Sequence, residues 1–382
     1  RFMAIYVATF AASVLFLFIS RKLRYRQLRQ LCVITGILIP AVLAGCRAST
    51  IGVDVMVYGI PSFQQALKSS NIIDFLGRQT LQGSTDWGFN VIVYAVSLLA
   101  KDYHWSLFAY ELITVWVMYL GMSRMEKQYG TPVWLGMLLY YLTVYNASLN
   151  IMRQAVAASF VFLAFTYLTT KEYKKYAVLM VIAFLMHSSA VIGLVILPLY
   201  LILQVQNGSS EKKQIFRGLF VIAGVMLIVA VGPQLVRMLV HMGLFRENYL
   251  NYLQGGRYST ISQGRSISIA ELVIQLAYIG IFILYYRILN RKNMQGLFYL
   301  MVSGMVLAIT CFSPLFAEYI SRMSYYFIPM QMVGLANTSL CYRKSRRGTW
   351  TALIVLFVFA TWLRTYVFLG YHATVPYEFF WQ

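Results

Sequence analysis

Apolar runs of roughly 17–22 residues recur along the whole chain, and this constrains the fold more than any other feature of the sequence. A bilayer's hydrocarbon core takes about 20 apolar residues to cross as a helix. With no water there to satisfy backbone N–H and C=O groups, a spanning segment must form its hydrogen bonds internally. Hydrophobic residues make up 60% of the 382 positions and charged residues only 12%, which no ordinary soluble domain matches. The sequence therefore predicts an all-α, polytopic integral membrane protein with about 10–12 transmembrane or re-entrant helices in a single transmembrane domain, 1–382. Residues 2–20 are long enough to span and no cleavage-site pattern follows, so the first span is expected to be retained.

The net charge of +20 does not indicate nucleic-acid binding. Six short basic stretches, "RKLRYRQLR" (21–29), "SRMEKQ" (123–128), "KEYKK" (171–175), "EKKQIFR" (211–217), "RILNRK" (287–292) and "YRKSRR" (342–347), hold 20 of the 32 Lys and Arg residues. They separate apolar runs, which is the positive-inside bias of a bacterial-type inner (plasma) membrane protein. Four scattered cysteines, with no C-x-x-C pair, suggest neither a disulfide framework nor a zinc site. The reading calls for no cofactor and no metal.

Threading the chain through those loops places spans at 2–20, 31–45, 105–121, 131–148, 151–170, 216–231, 269–286, 297–313, 319–338 and 349–369. Residues 46–100 are left as an outer-face segment with interfacial helices, and 232–268 as an outer loop. The 27 residues 177–203 lie between two basic loops and are broken near "HSSA" (187–190). A re-entrant hairpin with its apex near His187 keeps both flanks cytoplasmic.

In this topology the outer face carries 12 Lys and Arg, ten of them arginine, including Arg47, Arg153, Arg237, Arg246, Arg257, Arg265, Arg322 and Arg364. Arginine's planar fork suits phosphate and carboxylate, whereas lysine would serve for bulk charge. In "CRASTIGVDVMVYG" (46–59), helical spacing would put Arg47, Asp54 and Tyr58 on one face. "NASLNIMRQAVAAS" (146–159) opens a span with Asn150, Arg153 and Gln154, polar groups that are costly in lipid unless paired or facing a cavity. In "AEYISRMSYYF" (317–327), Glu318, Arg322 and Tyr326 recur every four residues, which suits either a site or an internal salt bridge. The Gly- and Ser-rich "GGRYSTISQGRS" (255–266) could close Arg257 and Arg265 over an anionic ligand. His187, with Ser188 and Ser189, is a candidate acid or base. His104, His241 and His372 stand in weaker contexts. No D-x-D, P-loop, dinucleotide fingerprint or G-x-S-x-G is present.

The order "RASTIGVDVMVY" (47–58), "DWGFN" (86–90), "NIMRQAVA" (150–157) and "AFLMHSSA" (183–190) resembles the EpsG family of exopolysaccharide proteins, broadly related to Wzy-type O-antigen and capsule polymerases. The resemblance is good over roughly residues 1–200 and looser beyond, through "EYISRMSYY" and the terminal "VPYEFFW". Asp86-Trp87-Gly88-Phe89 stands where the family often has Glu-Pro-Gly-aromatic, so the charge is kept on a shorter arm.

The resemblance implies a fold that is GT-C-like in the broad sense and a glycosyltransferase that polymerises undecaprenyl-pyrophosphate-linked oligosaccharide repeat units at the outer face of the inner membrane. A chain-length regulator is a possible partner, and no nucleic acid takes part. The reaction needs cations to stabilise the leaving pyrophosphate and a base for the acceptor hydroxyl. On this reading Arg47 and Arg153 hold phosphate, Asp54 contacts sugar hydroxyls or pairs with an arginine, Tyr58 stacks or hydrogen-bonds, and Asp86 is a substrate-binding candidate. His187 is the candidate base, with Asp54, Asp86 and Glu318 as the alternatives. Arg322 is expected to line one outer-leaflet cavity with Arg47 and Arg153. Two rival readings are a lipid-linked oligosaccharide flippase, which would need charges on the cytoplasmic half of its spans as well, and a membrane O-acyltransferase, which would need its histidine to face the cytoplasm.

Overall fold

The computed structural model describes residues 3–81, 86–204, 210–242, 250, 268–313 and 318–382. Among them there is no β-strand beyond one isolated bridge, and seventeen α-helices carry the chain. Five helical runs are long and apolar enough to cross a membrane: Arg26–Gly45, His104–Tyr129, Glu211–Gly232, Ile269–Arg291 and Lys344–Phe368. Shorter apolar helices lie at Ala4–Ser20, Trp87–Leu99, Met152–Leu168, Ser188–Gln204 and Gly296–Phe312. The chain is a polytopic α-helical membrane protein.

It divides into two compact units, Arg1–Val191 with Tyr342–Gln382, and Ile192–Cys341. In the first unit, α1 (Ala4–Ser20) packs along α2 (Arg26–Gly45), and α2 along α6 (His104–Tyr129). Between α2 and α6 the chain forms a π-helical turn (Val55–Gly59), α3 (Ile60–Lys68), α4 (Ile72–Leu81) and α5 (Trp87–Leu99). Their apolar faces meet in a core of Val55, Phe63, Phe75, Phe89, Val93 and Leu107, which holds these short helices against α6. Each is too short to cross a bilayer upright.

The next apolar run is interrupted. Helix α7 (Val133–Tyr140) continues through a π-helical turn (Tyr141–Tyr145) into α8 (Asn146–Asn150), and the helix then breaks at Ile151 (φ −85°, ψ 49°) before α9 (Met152–Leu168). A break inside a membrane-embedded run leaves helix-end carbonyls without partners, which is tolerated only where protein groups satisfy them. Arg47 does this. One of its terminal nitrogens donates to the Leu149 carbonyl at 3.0 Å, the other to the Ala44 carbonyl near the end of α2, also at 3.0 Å. One cation thus serves the negative ends of two helices. Glu111 of α6, 3% exposed, accepts a hydrogen bond from Ser148 Oγ of α8 at 2.8 Å and ties α6 to the same interrupted run.

The loop that delivers Arg47 lies equally close to the break. Gly52 has φ +85°, and a Cβ on it would stand 2.5 Å from the Leu149 carbonyl oxygen. This corrects the reading of residues 46–59 as one helical face. Helix α2 ends at Gly45, the chain turns through Gly52, and helix resumes only just before Asp54. Arg47 therefore points inward from a loop, while Asp54 and Tyr58 share the later helical segment.

The carboxy-terminal segment closes the first unit. After α17 (Lys344–Trp362) and a π-helical run (Leu363–Phe368), it threads back over the amino-terminal helices. Ala48 N–H donates to the Glu378 carbonyl at 2.9 Å and Phe380 N–H to the Cys46 carbonyl at 3.1 Å. Tyr6 Oη donates to the Thr374 carbonyl, and Tyr377 Oη to that of Leu43, both at 2.6 Å. Trp362 Nε1 donates to Asn146 Oδ1 at 2.8 Å, tying α17 to α8.

Residues 177–203 are built as α10 (Tyr173–Met186), an extended His187, a 3₁₀ helix (Ser188–Val195) and α11 (Ile196–Gln204). The unit boundary falls inside the 3₁₀ stretch. The second unit continues with α12 (Glu211–His241), α13 (Ile269–Arg291), α14 (Gly296–Phe312), α15 (Glu318–Arg322) and α16 (Ile328–Thr338). Here α14 packs against α12, α13 and α16.

Two substitutions test the clamp on the broken helix. Gly52→Ala should destabilise the detergent-solubilised protein by roughly 1–3 kcal/mol, because the residue must keep φ near +85° against a carbonyl oxygen. Gly224→Ala on α12, where an added methyl meets open space, should be neutral or stabilising. Arg47→Lys keeps the charge but loses the fork, leaving Leu149 or Ala44 without its donor, at a cost of about 1–3 kcal/mol. Thermal unfolding compared with wild type reads both.

Candidate active site

The break at Ile151 positions polar residues on both sides of it. Asn150 is the last residue of α8, and Arg153 and Gln154 lie in the first turn of α9. Asn150 Oδ1 accepts the Asp54 backbone N–H at 3.0 Å, joining the break to the helical segment that carries Tyr58. The Arg153 guanidinium lies over the Tyr58 ring, 3.9 Å from its centroid. That stacking desolvates the cation on one face and leaves its edge for hydrogen bonding.

The edge goes to Asp86, whose Oδ2 accepts from Arg153 at 2.8 Å. The same carboxylate meets His187 Nδ1 at 3.1 and 3.2 Å and accepts the Ser188 backbone N–H at 3.3 Å. Asp86 immediately precedes α5, and His187 is the extended residue that ends α10. Gly88 lets the two segments meet: a Cβ there would lie 3.1 Å from the backbone carbonyl of Leu185. The short side chain of Asp86 reaches its partners because the helices touch backbone to backbone.

The Asp86 side chain is only 4% exposed, against 19% for Arg153 and 25% for His187. Burial alone would raise its pKa; the His187 contacts, the Arg153 charge and the Ser188 N–H outweigh that and hold it below the usual carboxylate value. Asp86 is therefore ionised near neutrality and acts only as an acceptor. Nδ1 of His187 must then carry the proton, and in the neutral ring the lone pair sits on Nε2. A carboxylate that fixes the tautomer of an imidazole leaves it poised to take a proton at the opposite nitrogen.

His372, which the sequence reading put aside, also reaches this region. Its Nδ1 lies 2.9 Å from Asn150 Nδ2. Nothing in the local sequence around 372 marks it, because the contact depends on how the carboxy-terminal segment is folded back. Gln154 is buried, 6% exposed, beside Arg153. Arg47 lies within the same unit, 1% exposed, with its donors on Leu149, Ala44 and the Met152 sulfur at 3.2 Å.

The remaining candidates belong to the second unit or lie outside the described residues. Arg322 ends α15, and Tyr326, wholly buried, follows on a 3₁₀ turn (Met323–Tyr326). The α register stops at Arg322, so the four-residue spacing from Glu318 does not run on to Tyr326. The Glu318 side chain, Arg246, Arg257 and Arg265 are outside the described residues. Among the described residues no group of three or more His, Cys, Asp and Glu side chains is placed to hold a metal ion.

Comparison with characterised proteins and with solved structures yields no match. A family model does match, over residues 30–379, nearly the whole chain, and so takes in the broken helix, Asp86, His187 and His372. The chain belongs to the EpsG family and has a polymerase-like role in polysaccharide biosynthesis.

Proposed function

We propose that this protein is a glycosyltransferase of the Wzy type that joins lipid-linked oligosaccharide repeat units, with undecaprenyl pyrophosphate as carrier, at the outer face of the inner membrane. The observation that carries the reading is the Asp86 carboxylate, which collects Arg153, His187 Nδ1 and the Ser188 N–H in one buried cluster. Membership of a polysaccharide-polymerase-like family supplies the reaction class.

In the proposed step an acceptor sugar hydroxyl gives its proton to His187 Nε2 as its oxygen bonds to the anomeric carbon of the donor chain. The bond from that carbon to the pyrophosphate oxygen breaks, and its electron pair leaves with the lipid pyrophosphate. Asp86 keeps His187 in the basic tautomer and offsets the positive charge that develops on the ring. Arg153, stacked on Tyr58, balances Asp86 and directs cationic charge at the developing anion. Asp54, Asn150 and Gln154 supply hydrogen bonds around the break. In this reading Arg47 contributes by holding the break rather than by touching phosphate, because its donors already serve two backbone carbonyls. Arg257, Arg265, Glu318, Arg322 and Tyr326 are further proposed substrate-binding residues, as arginine forks, a carboxylate and a phenol suited to phosphate and sugar hydroxyls. Outer-face chemistry follows from the positive-inside threading, which puts Asp86 and His187 opposite the basic loops.

Two conservative replacements at the pair test this. His187→Gln keeps a hydrogen-bonding side chain but no basicity, and should lower polymer formation by about 10² to 10⁴, with single lipid-linked repeats accumulating. Asp86→Asn turns an amide donor towards Nδ1 and favours the tautomer with its proton on Nε2, so a loss of similar size is expected. Both proteins should reach the membrane in normal amount. More than about a tenth of wild-type activity in His187→Gln would reduce His187 to a positioning or structural role.

A further inference from the structure

His372 lies in a backbone that side chains seldom adopt. Gly370, His372 and Ala373 have φ of +63°, +66° and +50°, so two non-glycine residues in succession are left-handed. Such a conformation is strained for residues with a side chain and persists only where surrounding contacts over-determine it. Here those contacts are explicit. Ala373 O accepts the Gly52 N–H at 3.1 Å, and Thr374 is held by Tyr6 through its carbonyl and by Asn146 Nδ2 at 3.1 Å through its hydroxyl. The strained turn is pinned from both sides, and it holds an imidazole nitrogen against the broken helix.

The direction of that contact can be assigned. Asn150 Oδ1 accepts the Asp54 backbone N–H, a group that can only donate. The amide orientation is thereby fixed, and Nδ2 is the atom that faces His372 Nδ1 at 2.9 Å. Since Nδ2 donates, Nδ1 must accept, which requires a neutral imidazole with its proton on Nε2. The two histidines of the first unit's polar region thus have opposite tautomers: Asp86 places the proton of His187 on Nδ1, and Asn150 places that of His372 on Nε2.

We infer that His372 is a positioning residue of the active site, whose neutral Nδ1 lone pair holds the Asn150 amide and so fixes the end of α8 from which Asp54 and the Arg153 turn are set. The link to turnover rests on the polymerase reading above; the tautomer assignment does not. His372→Asn offers an amide oxygen near the place of Nδ1 and keeps an acceptor, whereas His372→Leu removes it. With lipid-linked single repeats isolated from polymerase-deficient cells as the probe, His372→Leu should lose about ten-fold in kcat with little change in KM, since a buried amide donor is left unpaired. His372→Asn should recover to within about three-fold of wild type. The His372→Leu/Asn150→Leu double variant should be no worse than the poorer single, because both remove one contact. Wild-type turnover in His372→Leu, or no recovery in His372→Asn, would overturn the inference.

A second measurement does not depend on activity. The chain has four histidines, so ring-nitrogen NMR on histidine-labelled wild type in lipid, assigned by the signal missing from His372→Asn, can read the tautomer directly. A neutral ring protonated on Nε2 is expected, and an imidazolium or a ring protonated on Nδ1 at neutral pH would overturn the assignment. Wild type making no polymer from these repeats would count against the polymerase reading alone, and the NMR result would then decide His372.

Discussion

The Leu149 carbonyl, left without a helical partner at the break, is the point on which the first unit's polar architecture depends. Helix α8 cannot end inside a membrane-embedded segment unless its orphan acceptors are met by protein. Arg47 meets that demand for α8 and for α2 together, and Gly52 brings the loop close enough for it to do so. The interruption then sets Asn150 and Arg153 on either side of a fixed turn. A continuous helix would place the same side chains on a regular spiral and could not hold Asn150 against the Asp54 backbone while Arg153 reaches Asp86.

Asp86 is the second organising group, and its logic is electrostatic. A carboxylate this deeply buried is sustained only by close cations and donors, and it has a stacked arginine, an imidazole and a backbone N–H. The Arg153 and Asp86 charges offset each other, so a proton taken up by His187 adds a positive charge that Asp86 is placed to stabilise. A base needs that response. It also explains why a short aspartate suffices: Gly88 lets α5 lie directly on the end of α10.

Much of the fold was legible in the sequence because bilayer thickness and basic loops are strong one-dimensional signals. The apolar runs at 2–20, 131–148, 151–170 and 297–313 match helices at Ala4–Ser20, Val133–Asn150, Met152–Leu168 and Gly296–Phe312 within a few residues. Even the interruption falls where the polar string Asn150 to Gln154 stands. Pairings between distant segments were not legible. Asp86 and His187 are 101 residues apart and Asn150 and His372 are 222 apart, so no local pattern encodes either contact. Spacings of seven and four would put Arg47 on one helical face with Asp54 and Tyr58, but α2 ends at Gly45 and the chain turns through Gly52 before helix resumes. The spacing from Glu318 through Arg322 likewise does not run on to Tyr326, because the helix tightens to 3₁₀ after Arg322.

The central claim is that the Asp86–His187 pair works at the outer face of the membrane. Trp87, next to Asp86 and 53% exposed, and Ser189, which follows the two residues that contact Asp86, report on the two segments that make it. Single cysteines at these positions, introduced after the four native cysteines are replaced, can be challenged in intact cells with a membrane-impermeant thiol reagent. The account predicts that both label from outside, and that a cysteine at Lys174 labels only after the membrane is permeabilised. Labelling of Trp87→Cys and Ser189→Cys only from the cytoplasmic side would contradict it.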